Sequence, residues 1–136
     1  SPDNRSMVFT TGDALDARTW EIARYDLETG ETTLLTENAD KDWSPSFSPD
    51  GQTILFLTEG EGFGAIAAMS ASGGDVRTVY DGSGYESSAS YSTDGAHIVF
   101  TSDADGQDEI YLMTADGDNV QSLTARGGHA AVWLPE

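Results

Sequence analysis

SPDGQTILFLT, residues Ser48 to Thr58, reads as a tight turn followed by a β-strand, and the chain writes this word three times. SPDNRSMVFTT at Ser1 to Thr11 and STDGAHIVFTS at Ser92 to Ser102 align with it without gaps, at offsets of 47 and 44 residues. Each residue of the turn has a physical task. Pro49 fixes φ, Asp50 can accept from backbone amides two residues on, and Gly51 tolerates positive φ. In the strand that follows, Phe9, Phe56 and Phe100 share one position, and alternation puts them on one face, where they are expected in the core.

The repeat extends in both directions. Downstream, WEIARYDLETGETTLLT, GAIAAMSASGGDVRTVY and DEIYLMTADGDNVQSLT superimpose, each a β-rich run, a glycine-containing turn and a second run, which is a hairpin signal. Ile22, Ile66 and Ile110 share a position there. Upstream lie WSPSF (Trp43 to Phe47) and SSASY (Ser87 to Tyr91), and HAAVW (His129 to Trp133) takes the same place near the end. Phe47, Tyr91 and Trp133 are equivalent and are expected to wedge between units. Four short strands at a period of about 42 to 47 residues match the spacing of propeller blades. The expected fold is therefore all-β, a β-propeller with three four-stranded antiparallel blades per chain and no helix. Blade 1 covers about residues 1–42, blade 2 about 43–86 and blade 3 about 87–128. A β-sandwich would not require turn and strand words to recur in register.

The words SPDG, IxF, IYLM, DG and LT, clearest in the third copy, resemble the TolB-like β-propeller repeat over essentially the whole chain. The departures are local: Asn4 replaces the turn glycine, Thr93 the turn proline, and Ala67-Ala68 a bulkier pair. The resemblance implies a non-catalytic scaffold that docks proteins or assembles with itself. It also implies an alternative, an accessory gate of a serine peptidase, because related propellers occur in prolyl oligopeptidase and tricorn-type peptidases.

Composition narrows the functions. Twenty-four acidic residues face six basic ones in 136, a net charge of −18, and Lys41 is the only lysine. Such a surface repels phosphate, so nucleic acid and anionic membranes are not expected partners. The acidity fits either adaptation to high salt or a face that docks a cationic partner or metal ions. The acids are spread through every loop, which favours the first. With no cysteine there are no disulfides or thiolate metal sites, and the compartment cannot be read. No apolar run reaches the roughly 20 residues of a membrane span and no signal peptide stands at the start, so the chain is expected to be soluble.

In an up-and-down blade the longer connections emerge on one face, and 12 of the 24 acids fall in them: Asp13, Asp16, Glu37, Asp40, Asp42, Glu59, Glu61, Asp81, Glu86, Asp103, Asp105 and Asp108. Another protein would dock there. Asp103, Asp105 and Asp108 resemble part of a calcium loop but lack the EF-hand glycine at position six and glutamate at position twelve, so calcium is a minor expectation and no cofactor the main one. There is no GxSxG elbow and only two histidines. His97 aligns with Ser6 and Thr53 at a strand edge. His129 aligns with Trp43 and Ser87 at the mouth of the innermost strand, where a small ligand in the channel would meet it.

Three blades leave two apolar faces uncovered, whereas propellers close at four to eight. The expected solution is a homodimer, a six-bladed ring in which the terminal strand, residues 129–136, completes the first blade of the other copy. Its interface residues are His129, Ala130, Ala131, Val132 and Trp133 on one side and Met7 and Phe9 on the other.

Overall fold

The computed structural model describes residues 1–16, 19–59 and 64–134, in which eleven strands form three antiparallel sheets without an α-helix. The first sheet contains β1 (Ser6–Thr11), β2 (Glu21–Asp26) and β3 (Thr32–Leu34). The second contains β4 (Asp42–Phe47), β5 (Thr53–Thr58), β6 (Ala65–Ser70) and β7 (Arg77–Tyr80). The third contains β8 (Glu86–Tyr91), β9 (His97–Ser102), β10 (Glu109–Thr114) and β11 (Gln121–Ser122). Strand order in each sheet follows the chain, as in an up-and-down blade. The first sheet has three strands rather than four, because among the described residues nothing pairs with the inner edge of β1.

The turn that defines the repeat is built alike in all three copies, and it uses the serine as much as the aspartate. The Ser48 hydroxyl donates to Asp50 Oδ1 at 2.6 Å and accepts from the Thr53 amide at 3.0 Å, while the Gln52 amide donates to the same Oδ1 at 3.0 Å. Ser92, Asp94, Ala96 and His97 repeat the pattern, as do Ser1, Asp3, Arg5 and Ser6. These bonds favour the charged carboxylate and hold Asp3, Asp50 and Asp94 below the usual aspartate range, with the serine hydroxyl contributing most. Asn4 takes the glycine's left-handed conformation at φ 58°, which a short polar side chain tolerates.

Alternation along β5 sends its two faces to different neighbours. Ile54 and Phe56 pack with Ile22, Val8 and Leu35 of blade 1, joined by Ala67, Met69 and Phe47. Leu55 and Leu57 pack with Ile98, Phe100, Tyr111 and Met113 of blade 3, and Tyr91 closes that seam. Phe56 and Phe100 are fully buried, each worth about 1.5–3 kcal/mol relative to an exposed ring. Phe9, at the same position in blade 1, stays 36% exposed and Met7 50%. Its expected core placement is incomplete because no blade faces it within this chain.

The inner strands share a device that composition hides. In β4 and β8 the pairing register shifts between Trp43 and Ser46 and between Ser87 and Ser90, the mark of a β-bulge. The bulged residues Ser44 and Ser88 both lie at φ 53°. Ala130, at the equivalent place in the terminal segment, lies at φ 55°, although residues 129–134 pair with no strand among the described residues. The Ala130 amide donates to Thr101 Oγ1 at 3.2 Å, just as the Ser44 amide donates to Thr10 Oγ1 at 3.2 Å. The segment thus has the shape of an inner strand and lies against blade 3 as β4 lies against blade 1.

Candidate binding face

The connections β1–β2, β3–β4, β5–β6, β7–β8 and β9–β10 all emerge at the start of the inner strands, because successive strands alternate in direction. Glu61, one of the twelve acids placed here from the sequence, lies outside the described residues. The face is stitched across the blades by backbone bonds: the Asp42 amide donates to Trp20 O at 2.8 Å and the Glu59 amide to Lys41 O at 2.9 Å.

Aromatic rings gather at the junction of blades 1 and 2. Lys41 Nζ sits 4.8 Å from the centre of the Trp20 ring and 4.4 Å from that of Trp43, and Trp43 stacks on Tyr85 with centroids 6.2 Å apart. The Trp20 indole is held by a bond from Nε1 to Asp13 O at 3.2 Å. An open groove of about 390 Å³ runs beside the rings, bordered by Thr10, Gly12, Ala14 and Ser44.

Acidic side chains occupy the base of the face in two arrangements. At the start of β2 and β10, Glu21 and Glu109 accept from the hydroxyls of Thr36 and Thr124, which in turn accept from the Ile22 and Ile110 amides. Glu109 also accepts from the Gly127 amide, and these donors, Thr124 first, hold its carboxyl low. The pairs tie the outer strands to the face. Blade 2 has Ala65 and Tyr80 in their places, so the pattern is broken in the sequence.

At the start of β4 and β8, Asp42 and Glu86 are almost fully buried, at 1% and 0% exposure. Burial pushes up the Asp42 pKa against the lowering effect of the Thr58, Asn38 and Thr36 groups, and the charge of Glu21 adds to the rise. Glu86 accepts from Ser102 Oγ at 3.2 Å through Oε1, and among the described residues no donor reaches Oε2. Burial, assisted by the charges of Asp81 and Asp103, pushes it up to about 7. Gly128 takes the same place in the terminal segment.

Asp103, Asp105 and Asp108 are not brought together. Asp103 Oδ1 accepts from the Tyr85 amide at 2.7 Å, Asp105 Oδ2 accepts from the Tyr111 hydroxyl at 2.7 Å, and Asp108 holds the Gly128 amide through its carbonyl at 2.7 Å. The Tyr111 hydroxyl, donating to that carboxylate, is pushed up to about 12. Among the described residues no group of three or more His, Asp or Glu side chains is disposed around a metal position. His97 begins β9 at the turn face and His129 is exposed at the loop face, so the two histidines lie at opposite ends of the blades. Among the described residues neither ring is hydrogen-bonded to a serine. His129, Ala130 and Val132 are exposed, Ala131 and Trp133 are half-buried, and the Trp133 indole donates to Ser90 O at 3.3 Å.

Repeating antiparallel blades with a turn-built face and an opposite loop-built face define a β-propeller. Residues 1–136 match the family described as "TolB beta propeller domain", and the chain belongs to it. It is 46% identical over 54 residues to the "Tol-Pal system protein TolB" of Azoarcus sp. (strain BH72), a stretch that is 40% of this chain and 12% of that protein. A 67-residue stretch, 48% of this chain and 10% of the relative, is 34% identical to the "Uncharacterized peptidase YuxL" of Bacillus subtilis (strain 168). Its fold superimposes on "the structure of putative TolB from Agrobacterium tumefaciens" with a TM-score of 0.82 at 29% identity, covering 91% of this chain and 47% of that one. The chain therefore spans well under two thirds of the length of the proteins it resembles.

Proposed function

We propose that the chain is a non-catalytic β-propeller scaffold that closes a six-bladed ring by pairing with a second copy and presents its acidic loop face to a cationic protein. The observation that carries ring closure is the match between two unsatisfied elements. Among the described residues the inner edge of β1 is unpaired, and residues 128–134 hold the bulged conformation of an inner strand without a strand to join. Edge pairing satisfies both.

The repeat fixes the register. As Asp42, Trp43, Ser46 and Phe47 pair with Thr58, Leu57, Leu55 and Ile54, so Gly128, His129, Val132 and Trp133 pair with Thr11, Thr10, Val8 and Met7 of the other copy. Trp133 then enters the seam where Phe47 and Tyr91 lie in the other two, and Met7 and Phe9 are covered by blade 3 of the partner copy.

Light scattering of the 136-residue chain across a salt series tests this. The expected particle is about 29 kDa, twice the chain mass of 14.4 kDa. Its share should rise with salt as the repulsion between two −18 chains is screened. A monodisperse monomer at high salt overturns the ring.

The 34% identical stretch of a peptidase supports a second reading, an accessory propeller that restricts access to a hydrolase domain. Under it the isolated chain stays monomeric, and adding it in trans to the cognate hydrolase domain slows cleavage of large substrates.

A further inference from the structure

The fold does not require aromatic rings at the junction of blades 1 and 2. The counterpart of Trp43 in blade 3 is Ser87, and that of Trp20 in blade 2 is Gly64. Ser87 pairs with Thr101 in the same register in which Trp43 pairs with Leu57. The two half-exposed indoles are therefore not demanded by the repeat, although Trp43 also packs one edge against the core between blades 2 and 3.

Hydrogen bonds hold the Trp20 wall of this cleft, whereas its occupant is held by ring contacts. Trp20 is held through its indole nitrogen and its carbonyl, and the Lys41 backbone through its carbonyl. The Lys41 side chain contacts the two ring faces and, among the described residues, makes no ion pair. In a chain with 24 carboxylates, the only lysine rests on indoles. The two negative ring faces thus form a seat for a cation, filled by a long flexible side chain able to leave it.

We propose that the Trp20–Trp43 cleft is the docking site for an arginine side chain of a protein partner, with Lys41 the resident cation that the arginine displaces. The proposal rests on the reading of the loop face as a surface for a cationic protein. A guanidinium is planar and weakly hydrated, so it stacks on an indole with less desolvation than an ammonium. The surrounding carboxylates steer a basic segment to the face and receive the released Lys41. An arginine between tryptophans is also the residue pairing in which interface energy concentrates.

Calorimetric titration with an acetylated Gly-Arg-Gly-Arg-Gly amide tests the site, with a peptide carrying citrulline in place of arginine as the neutral control. Salt is kept near about 0.3 M to screen diffuse attraction. The arginine peptide is expected to bind more tightly than the citrulline peptide, and Trp43→Ser, the residue blade 3 uses, to weaken it by about tenfold. Lys41→Ala should strengthen binding by about threefold or more by emptying the seat. Arg5→Ala, which makes the same charge change at the opposite end of the blades, should not. If Trp43→Ser and Lys41→Ala both bind like the wild type while arginine is still preferred, the cleft is overturned and the cationic-partner reading stands. If the wild type does not distinguish the two peptides, both are overturned.

Discussion

The seam between blades 2 and 3 and the open face of blade 1 are made from the same words, yet they differ in everything that packing confers. In the seam, Ile98 and Phe100 are at 0% exposure; on the open face, Met7 and Phe9 at the same positions are at 50% and 36%. The residue types are nearly conserved, and the neighbour is what changed. Burial in a propeller is thus a property of adjacent blades rather than of a strand, as expected for a repeat whose units cannot cover their own faces.

Substituting equivalent residues sharpens this contrast, and the largest effect belongs to the seam. Phe100→Ala should destabilise the chain by about 3–5 kcal/mol in urea unfolding at dilutions where it is monomeric. The same change at Phe9 should cost less, about 1–2 kcal/mol there, since the ring is already 36% exposed and its removal leaves no closed cavity. Its loss should also appear as a weaker dimer. Equal losses at the two positions in the monomer would break the comparison.

Glu86 gives the next effect. Its carboxyl is raised to about 7 in the folded chain against about 4.3 in an unfolded one, so the folded state binds the extra proton between these values. Stability should therefore fall as pH rises from about 4.3 to about 7 and level off above, by about 2–3 kcal/mol from this group. Glu86→Gln should flatten the decline and be the more stable protein at pH 8, measured by denaturant midpoints. Asp42 acts in the same direction, while the turn aspartates, held low, lose their contribution only at still lower pH.

The smallest effect tests the terminal segment. Ala130 holds a left-handed conformation that costs an L-residue about 1 kcal/mol and glycine little. The free chain already holds this conformation, so Ala130→Gly should relieve it in monomer and dimer alike and leave dimerisation within about twofold in sedimentation analysis, any weakening coming from the looser free segment. Ala130→Pro, which cannot take positive φ, should abolish dimerisation.

What could be read from the sequence followed what the repeat made redundant. The Pro-Asp-Gly turns, the phenylalanine and isoleucine positions and the hairpins were legible because each occurs three times, so one copy corrects another. The bulge was not, because Ser44, Ser88 and Ala130 carry no glycine to announce positive φ. The Glu21–Thr36 and Glu109–Thr124 pairs were missed because blade 2 interrupts them with Ala65 and Tyr80. The three aspartates of residues 103–108 looked like a ligand set because their spacing is visible in sequence, whereas the donors that occupy Asp103 and Asp105 come from Tyr85 and Tyr111. Lys41 stands two residues from Trp43, but the second indole, Trp20, comes from the β1–β2 connection, a meeting that no local pattern records.

That lysine also makes the molecule unusually simple to interrogate chemically. An amine-directed reagent finds one side-chain target, besides the terminal amine that already donates to Ser6 O at 2.6 Å. Acylation needs an approachable nitrogen, and two indole faces restrict access to it. The rate at which Lys41 is acetylated therefore counts the time its nitrogen spends away from the rings, a clock for one side chain read by mass spectrometry without any label.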